Sequence, residues 1–252
     1  MLAVPFCQTS NKLDLPFKTW LPYSIETRWS YWLSFGHQFL GLLCCASVSV
    51  ANDTIVTGFM MQACAQFEIL EHRFKLLPRL VEKAKSQMTD NEVDKCEENI
   101  LKQYVQHHNH IYEYLGNVMD IFNSIIFVQF CASAMVITVS VYQLSMKNPS
   151  SFDFIMVLLY LMSMLTEFFM YCWFGNEVTI KSIQFAKNIY LSDWTTLNVK
   201  SWKMMIFVIH RTSKPVIISC YNWVFLSLDT YVQILKLSYS AFNILRRSAI
   251  NQ

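Results

Sequence analysis

Residues suited to chemistry are few and scattered in this 252-residue sequence. His107, His108 and His110 cluster, and His107 and His110 stand one helical turn apart, a spacing at which two imidazoles can share a metal ion. No cysteine or carboxylate pair completes the ligand set, so no metal site is expected. The eight cysteines are spread along the chain without a CxxC pair, which argues against both zinc and a disulfide framework. There is no nucleophile–base pair and no phosphate loop, so neither catalysis nor a cofactor is expected. Asn52-Asp53-Thr54 matches a glycosylation acceptor but sits inside an apolar run, beyond the reach of the modifying machinery. What remains is charge within apolar stretches: Glu167, Asp229 and Lys236. Such groups are costly in lipid unless they face protein or water, so Glu167 is expected to face other helices. Asp229 and Lys236, two turns apart on one side of a helix, are too far apart for a direct bond and suit a structural role.

The elements that must position these residues are membrane helices. Hydrophobic residues make up 54% of the chain and charged residues 15%, against roughly a quarter charged in soluble domains. The apolar residues are gathered into long uncharged runs, and with five glycines and six prolines there is little turn punctuation. A single membrane domain over 1–252 follows. A net charge of +2 is too small to argue for nucleic acid or an acidic substrate. Met1 is not followed by a signal-peptide pattern, so insertion is expected to rely on internal spans.

A spanning helix needs about 20 largely apolar residues. Four stretches qualify, at about 31–66, 121–146, 154–174 and 216–245, the last interrupted by Asp229 and Lys236. The first is longer than a bilayer requires. The 68–120 and 175–214 connections are rich in lysine and arginine, whereas the 145–153 loop carries only Lys147. Both long loops are therefore expected inside, with the N-terminal segment, the short loop and the C-terminus outside. Arg246 and Arg247, at the outer end, run against this trend. An even number of spans with both ends outside suggests that further spans precede these. Apolar residues at helical spacing, Leu76, Leu80 and Ala84 and then Ile100, Tyr104, His107, Ile111 and Leu115, predict cytoplasmic helical extensions with a break at Thr89-Asp90-Asn91-Glu92. The fold class is all-α, a multi-span membrane protein. A short amphipathic helix is predicted over 197–213, cut off from the last span by Pro215.

At this level of detail the sequence resembles the insect odorant receptors. Tyr171-Cys172-Trp173-Phe174-Gly175-Asn176-Glu177, then Ser182, Tyr190 and Trp194, look like the end of that family's sixth span and the loop after it. Arg211-Thr212-Ser213-Lys214-Pro215 resembles its R-x-x-K-P junction, and Lys236-Leu237-Ser238-Tyr239-Ser240-Ala241-Phe242 its closing K-x-S-Y-S-x-F. Leu21-Pro22-Tyr23, His107-His108-Asn109 and Phe127-Val128-Gln129-Phe130 also fit, so the resemblance covers nearly the whole chain. It implies that the four stretches correspond to the fourth to seventh spans of a seven-span receptor, with the first three absent. It also implies an odorant-gated, non-selective cation channel in the membrane of the olfactory sensory neuron dendrite. The assembly would be a heterotetramer of an odorant-binding subunit and a shared co-receptor, surrounded by lipid and without nucleic acid. The ordinary length of the loop between the first two stretches resembles the ligand-tuned subunit rather than the co-receptor.

The resemblance assigns the pore to the last helix, with Thr230, Ile234, Leu237 and Ser238 on roughly one face. It assigns odorant recognition to the outer ends of the first and third stretches, where Phe35, His37, Phe39, Leu42, Leu43, Leu158, Leu159 and Met162 would give an apolar surface suited to a volatile ligand. The alternatives are a non-functional partial receptor and a gustatory-type receptor of the same superfamily. The gustatory motif T-Y-(five apolar)-Q-F does not fit Thr230-Tyr231-Val232-Gln233.

Overall fold

The structure, a computed structural model, describes residues 28–148, 151–192, 197–221 and 223–250. Leu21-Pro22-Tyr23 and Trp194 lie outside the described residues. The element order is α1 (Arg28–Lys85), α2 (Asp90–Met146), α3 (Phe152–Tyr190), α4 (Val199–Thr212), β1 (Ser219–Cys220), β2 (Val224–Phe225) and α5 (Leu228–Ile250). Two compact units are present, up to Ile55 and from Val56 onward, and each is described by itself. Among the described residues the fold is all-α apart from one hairpin of two two-residue strands.

Among the described residues, α1, α2 and α3 are long and apolar enough to cross a membrane. At about 1.5 Å per residue, the 58 residues of α1 and 57 of α2 far exceed a hydrocarbon layer of about 30 Å. Their polar ends therefore continue into water as helix. In the second unit the buried residues of α1 are Val56, Met60, Ala63, Phe67, Leu70, Phe74, Leu77 and Val81, an unbroken alternation of four- and three-residue steps. That is the heptad stripe of intertwined helices. It is answered on α2 by Leu101, Tyr104, His108, Ile111 and Leu115 and on α3 by Val178, Phe185 and Ile189. Phe74 lies 5.2 Å from the Tyr104 ring and 5.8 Å from Phe185, which itself lies 5.9 Å from Phe67. On α2 the expected Tyr104, Ile111 and Leu115 are buried and Ile100 packs against the core, but His108 rather than His107 faces it; on α1 the buried stripe runs through Leu77 and Val81, while Leu80 is 45% exposed.

The helix ends are set locally. The chain turns over Ser86–Thr89, and Thr89-Asp90-Asn91-Glu92, expected as the break, is the cap and first turn of α2. The Glu92 carboxylate accepts from the Thr89 N–H at 3.1 Å and from its hydroxyl at 2.8 Å. Those bonds hold the exposed Glu92 carboxyl below its ordinary range. Ser151 opens α3 by accepting from the Phe154 N–H at 3.1 Å. Buried Glu97 of α2 accepts from the Asn198 N–H at 3.0 Å and thus puts a carboxylate at the positive end of α4.

One expectation is corrected. The last helix does not begin at Val216: residues 216–221 and 223–227 hold an antiparallel hairpin, Ser219 opposite Phe225 and Cys220 opposite Val224, and α5 starts at Leu228. A proline start and a β-branched run, Val216, Ile217 and Ile218, favour extended backbone over helix. The hairpin is fastened on two sides. Buried Gly175 of α3 lies so close to Leu226 that an added Cβ would sit 2.5 Å from the Leu226 Cβ and 2.6 Å from its carbonyl oxygen. The Val216 N–H donates to the buried Ser182 hydroxyl at 3.0 Å. At the turn, Tyr221 adopts φ 51°, a left-handed conformation that costs a side-chain-bearing residue roughly 1–2 kcal/mol. It is held there by its N–H donating to Asn123 Oδ1 at 3.0 Å and its hydroxyl bonded to Ser124 at 2.6 Å. Replacing Gly175 by alanine is therefore expected to push the hairpin off α3 and lower stability by about 1–3 kcal/mol. A thermal melt of the detergent-purified variant checks this, and an unchanged midpoint would refute the close approach.

Candidate functional site

The candidate pore helix α5 splits the four residues assigned to it. Ile234 and Ser238 are 5% and 4% exposed, and Ile234 packs with Phe168 and Cys172 of α3. Thr230 is half-buried, its hydroxyl 3.1 Å from that of Ser227, which sits just before the helix. Only Leu237 is turned outward, 64% exposed, on the side that also carries Gln233, Lys236 and Ser240. Asp229 and Lys236 are both exposed, and Asp229 occupies the first turn, where the helix dipole favours negative charge. Tyr231 stacks on Phe168 at 5.6 Å and meets Phe169 edge-on at 5.5 Å, so α5 is held to α3 by aromatic rings.

The other motif residues divide by role. Tyr171, Cys172 and Gly175 are buried against the hairpin and α5, whereas Trp173 is 42% exposed and Asn176 and Glu177 are half-buried. Lys214 and Pro215 are exposed at the hairpin entrance. On α5, Ser240 is exposed and donates to the Lys236 carbonyl at 3.0 Å, and the exposed Tyr239 lies 6.3 Å from the half-buried Phe242 ring. Glu167 does face another helix, accepting a hydrogen bond from the Gln129 amide of α2. Thr54 bonds back to the Val50 carbonyl at 2.8 Å, so Asn52-Asp53-Thr54 is plain helix.

The candidate odorant residues are described in their separate units. In the first, Phe35 and Phe39 stack at 6.3 Å, continuing a ladder from Tyr31, while Phe35 and Leu42 are half-buried and His37, Phe39 and Leu43 exposed. In the second, Leu158, Leu159 and Met162 are exposed on α3. All eight offer apolar or aromatic surface, apart from the imidazole of His37.

The three histidines have three different surroundings. Arg73 approaches His107 Nδ1 at 3.5 Å while Nε2 lies 2.9 Å from Gln66 Oε1, an arrangement that suits a neutral ring protonated on Nε2. Burial, then the Arg73 and His110 charges, lower its pKa. His110 is exposed beside Glu113, 3.5 Å away. His108, 1% exposed, is stacked on Phe185 at 5.5 Å and lies 4.7 Å from Tyr112. Burial, reinforced by Arg211 and His107, pushes it down to about 4. Nearby, Lys181 of α3 meets Glu68 of α1 at 2.5 Å, which raises the lysine. Burial raises Glu71, but the hydrogen bonds from Lys75 and Asn188 outweigh it and leave the carboxyl below its usual range.

Three helices long and apolar enough to cross a membrane, continued by a water-facing helical core and followed by a short helix, a clamped hairpin and a final helix, define a multi-pass membrane protein. A family model described as 7tm Odorant receptor matches residues 1–239, and the chain belongs to that family of multi-pass membrane proteins. It is 27% identical to Odorant receptor Or1 of Anopheles gambiae, an alignment covering 94% of this chain and 61% of that relative. It is 26% identical to Odorant receptor 46a, isoform B, of Drosophila melanogaster, covering 93% and 60%. The fold matches the olfactory receptor OR5 of Machilis hrabei, solved in complex with eugenol, with a TM-score of 0.75 at 15% identity over 91% of this chain and 56% of that one. The chain thus spans about three fifths of the length of these relatives.

The hairpin was missed in the sequence, although β-branched residues after a proline signalled it. His108 was seen only as a member of a cluster.

The depressed His108 has a sign that can be worked out. The unfolded chain takes up a proton near the ordinary 6.5 and the folded one only near 4. The stabilising contribution is complete above 6.5 and is lost as pH falls from there through 4. Between about pH 7 and about pH 5 the loss is about 2 kcal/mol. The His108→Phe variant, which does not titrate, is expected to lose correspondingly less stability over that interval, as measured by melts at both pH values. Parallel losses would show that His108 is not buried neutral.

Proposed function

We propose that this chain forms part of an odorant-gated, non-selective cation channel, as its ligand-tuned subunit assembled with a shared co-receptor in a heterotetramer of the olfactory neuron membrane. The observation that carries this reading is the odorant-receptor family match over residues 1–239. The residues proposed to recognise a volatile odorant are Phe35, His37, Phe39, Leu42 and Leu43 on α1 and Leu158, Leu159 and Met162 on α3. Their surface is largely apolar, as a volatile ligand requires. The ligand acts by binding the open state more tightly than the closed one.

The pore is assigned to α5. Its outward face, with Leu237 among polar and charged residues, is the side available to line a water-filled path, and a leucine ring contributed by several subunits closes such a path by dewetting. Thr230, Ile234 and Ser238 stand behind this face and hold the helix to its neighbours.

Co-expression of the protein with a co-receptor in oocytes is expected to give an inward cation current on exposure to a panel of volatile odorants. Silence across the panel, with both proteins detected at the surface, rules the reading out. In the same assay Leu237→Ser is expected to raise the current without odorant by roughly severalfold, because a polar ring wets more readily. A standing current equal to that of wild type removes Leu237 from the gate.

A further inference from the structure

A groove of about 390 Å³ opens between α2 and α4, in the water-facing part of the second unit and away from the proposed pore face. Its charged lining is Lys102, Arg211 and Glu98. Glu98 is already paired with Lys200 at 2.7 Å, whereas neither Lys102 nor Arg211 has a carboxylate partner among the described residues. The groove therefore presents two uncompensated positive charges.

Beneath them are two orphaned polar atoms. His108, which also lines the groove, is 1% exposed with no hydrogen-bond partner at Nε2, and Tyr112 has none at its hydroxyl. The two rings are 4.7 Å apart, and the Arg211 guanidinium lies 5.5 Å from the centre of the Tyr112 ring. Buried donors are almost always satisfied. Of the two residues only His108 belongs to the groove wall, and a groove with two unpaired cations beside a buried imidazole suits a group rich in acceptors.

We propose that this groove binds a phosphomonoester carried on a small organic body, either a soluble inositol phosphate or the headgroup of an anionic lipid. A phosphomonoester carries a charge of about −1.5 to −2 and three acceptor oxygens, which match the two cations; a carboxylate would leave one unmatched. Arg211 can grip two of the oxygens with its planar fork, and Lys102 supplies a point charge. His108 forms part of the groove wall and the Asn109 amide lies at the edge, while the Tyr112 hydroxyl stays behind the wall. The volume exceeds that of a phosphate alone. Val105, Phe207 and Val208 wall the remainder and would cover the body that carries it. Such a ligand ties α4 to α2, and α4 leads through the clamped hairpin into α5.

The test uses the receptor assembled in phosphatidylcholine nanodiscs and titrated with inositol trisphosphate. In parallel, the receptor is floated with phosphatidylcholine vesicles containing or lacking phosphatidylinositol bisphosphate. Saturable binding of either probe is expected, to the soluble one alone if the ligand is a free solute and to the vesicles alone if it is a lipid. The double variant Lys102→Gln, Arg211→Gln is expected to weaken binding by on the order of tenfold or more, with Arg211→Lys intermediate and Lys187→Gln, outside the groove, unchanged. If the double variant does not melt like wild type, His108→Phe reads the same loss with both cations in place. The proposal is overturned if wild type binds neither probe, or if the charge-removed and His108→Phe proteins bind as wild type does. Both readouts are independent of odorant-evoked current.

Discussion

Everything beyond the membrane spans is mounted on the heptad seam that joins α1, α2 and α3. Its alternating four- and three-residue steps bury Phe67, Phe74 and Phe185 almost completely. Fully burying a side chain of this size is worth about 1.5–3 kcal/mol, and the stripe repeats that gain over seven helical turns of α1. Because the seam is continuous with the spanning segments, the water-facing core and the membrane helices share their backbone without a joint. The hairpin, α4 and α5 are then attached to this frame through a handful of specific contacts: Gly175 with Leu226, Ser182 with Val216, and Glu97 with Asn198.

That arrangement relates the two candidate sites. The groove between α2 and α4 and the outward face of α5 lie at opposite ends of one connected segment, α4–hairpin–α5. The segment is gripped in the middle, where the hairpin meets α3 and where Tyr221 is held in a left-handed conformation by Asn123 and Ser124. A packed joint has discrete arrangements rather than a continuum, so the proposed groove and the proposed pore face would exchange free energy through it.

Much of this was legible in the residues. Long uncharged runs gave the first three spans, because hydrocarbon tolerates no other pattern, and loop cations gave a sidedness. The ordered motif from Tyr171 to Phe242 pointed to the family. What was not legible depended on distance in space. Periodicity placed Tyr104, Ile111 and Leu115 of α2 in the core but was one residue out on α1, because Leu76, Leu77, Leu80 and Val81 are equally apolar and only the partner helices decide which face is covered. The apolar run at 216–227 read as helix because hydropathy does not distinguish a buried hairpin from a span. The groove was invisible, since Lys102 and Arg211 are more than a hundred positions apart and acquire meaning only when α4 lies against α2.

The Glu97–Asn198 contact carries a lesson about how the molecule is made. The carboxylate is buried, and its backbone partner lies 101 residues further along the chain. At a synthesis rate of about 5–20 residues per second, that separation is a wait of about 5–20 s, during which two more spans must enter the bilayer. Until Asn198 emerges, the end of α2 holds an acid with nothing to cap, and water has to remain around it. The water-facing core therefore closes late in biogenesis, after insertion, so that a nascent receptor stalled before α4 would present to the cell's quality control an open helical pair with a wet carboxylate where the finished protein has a dry one.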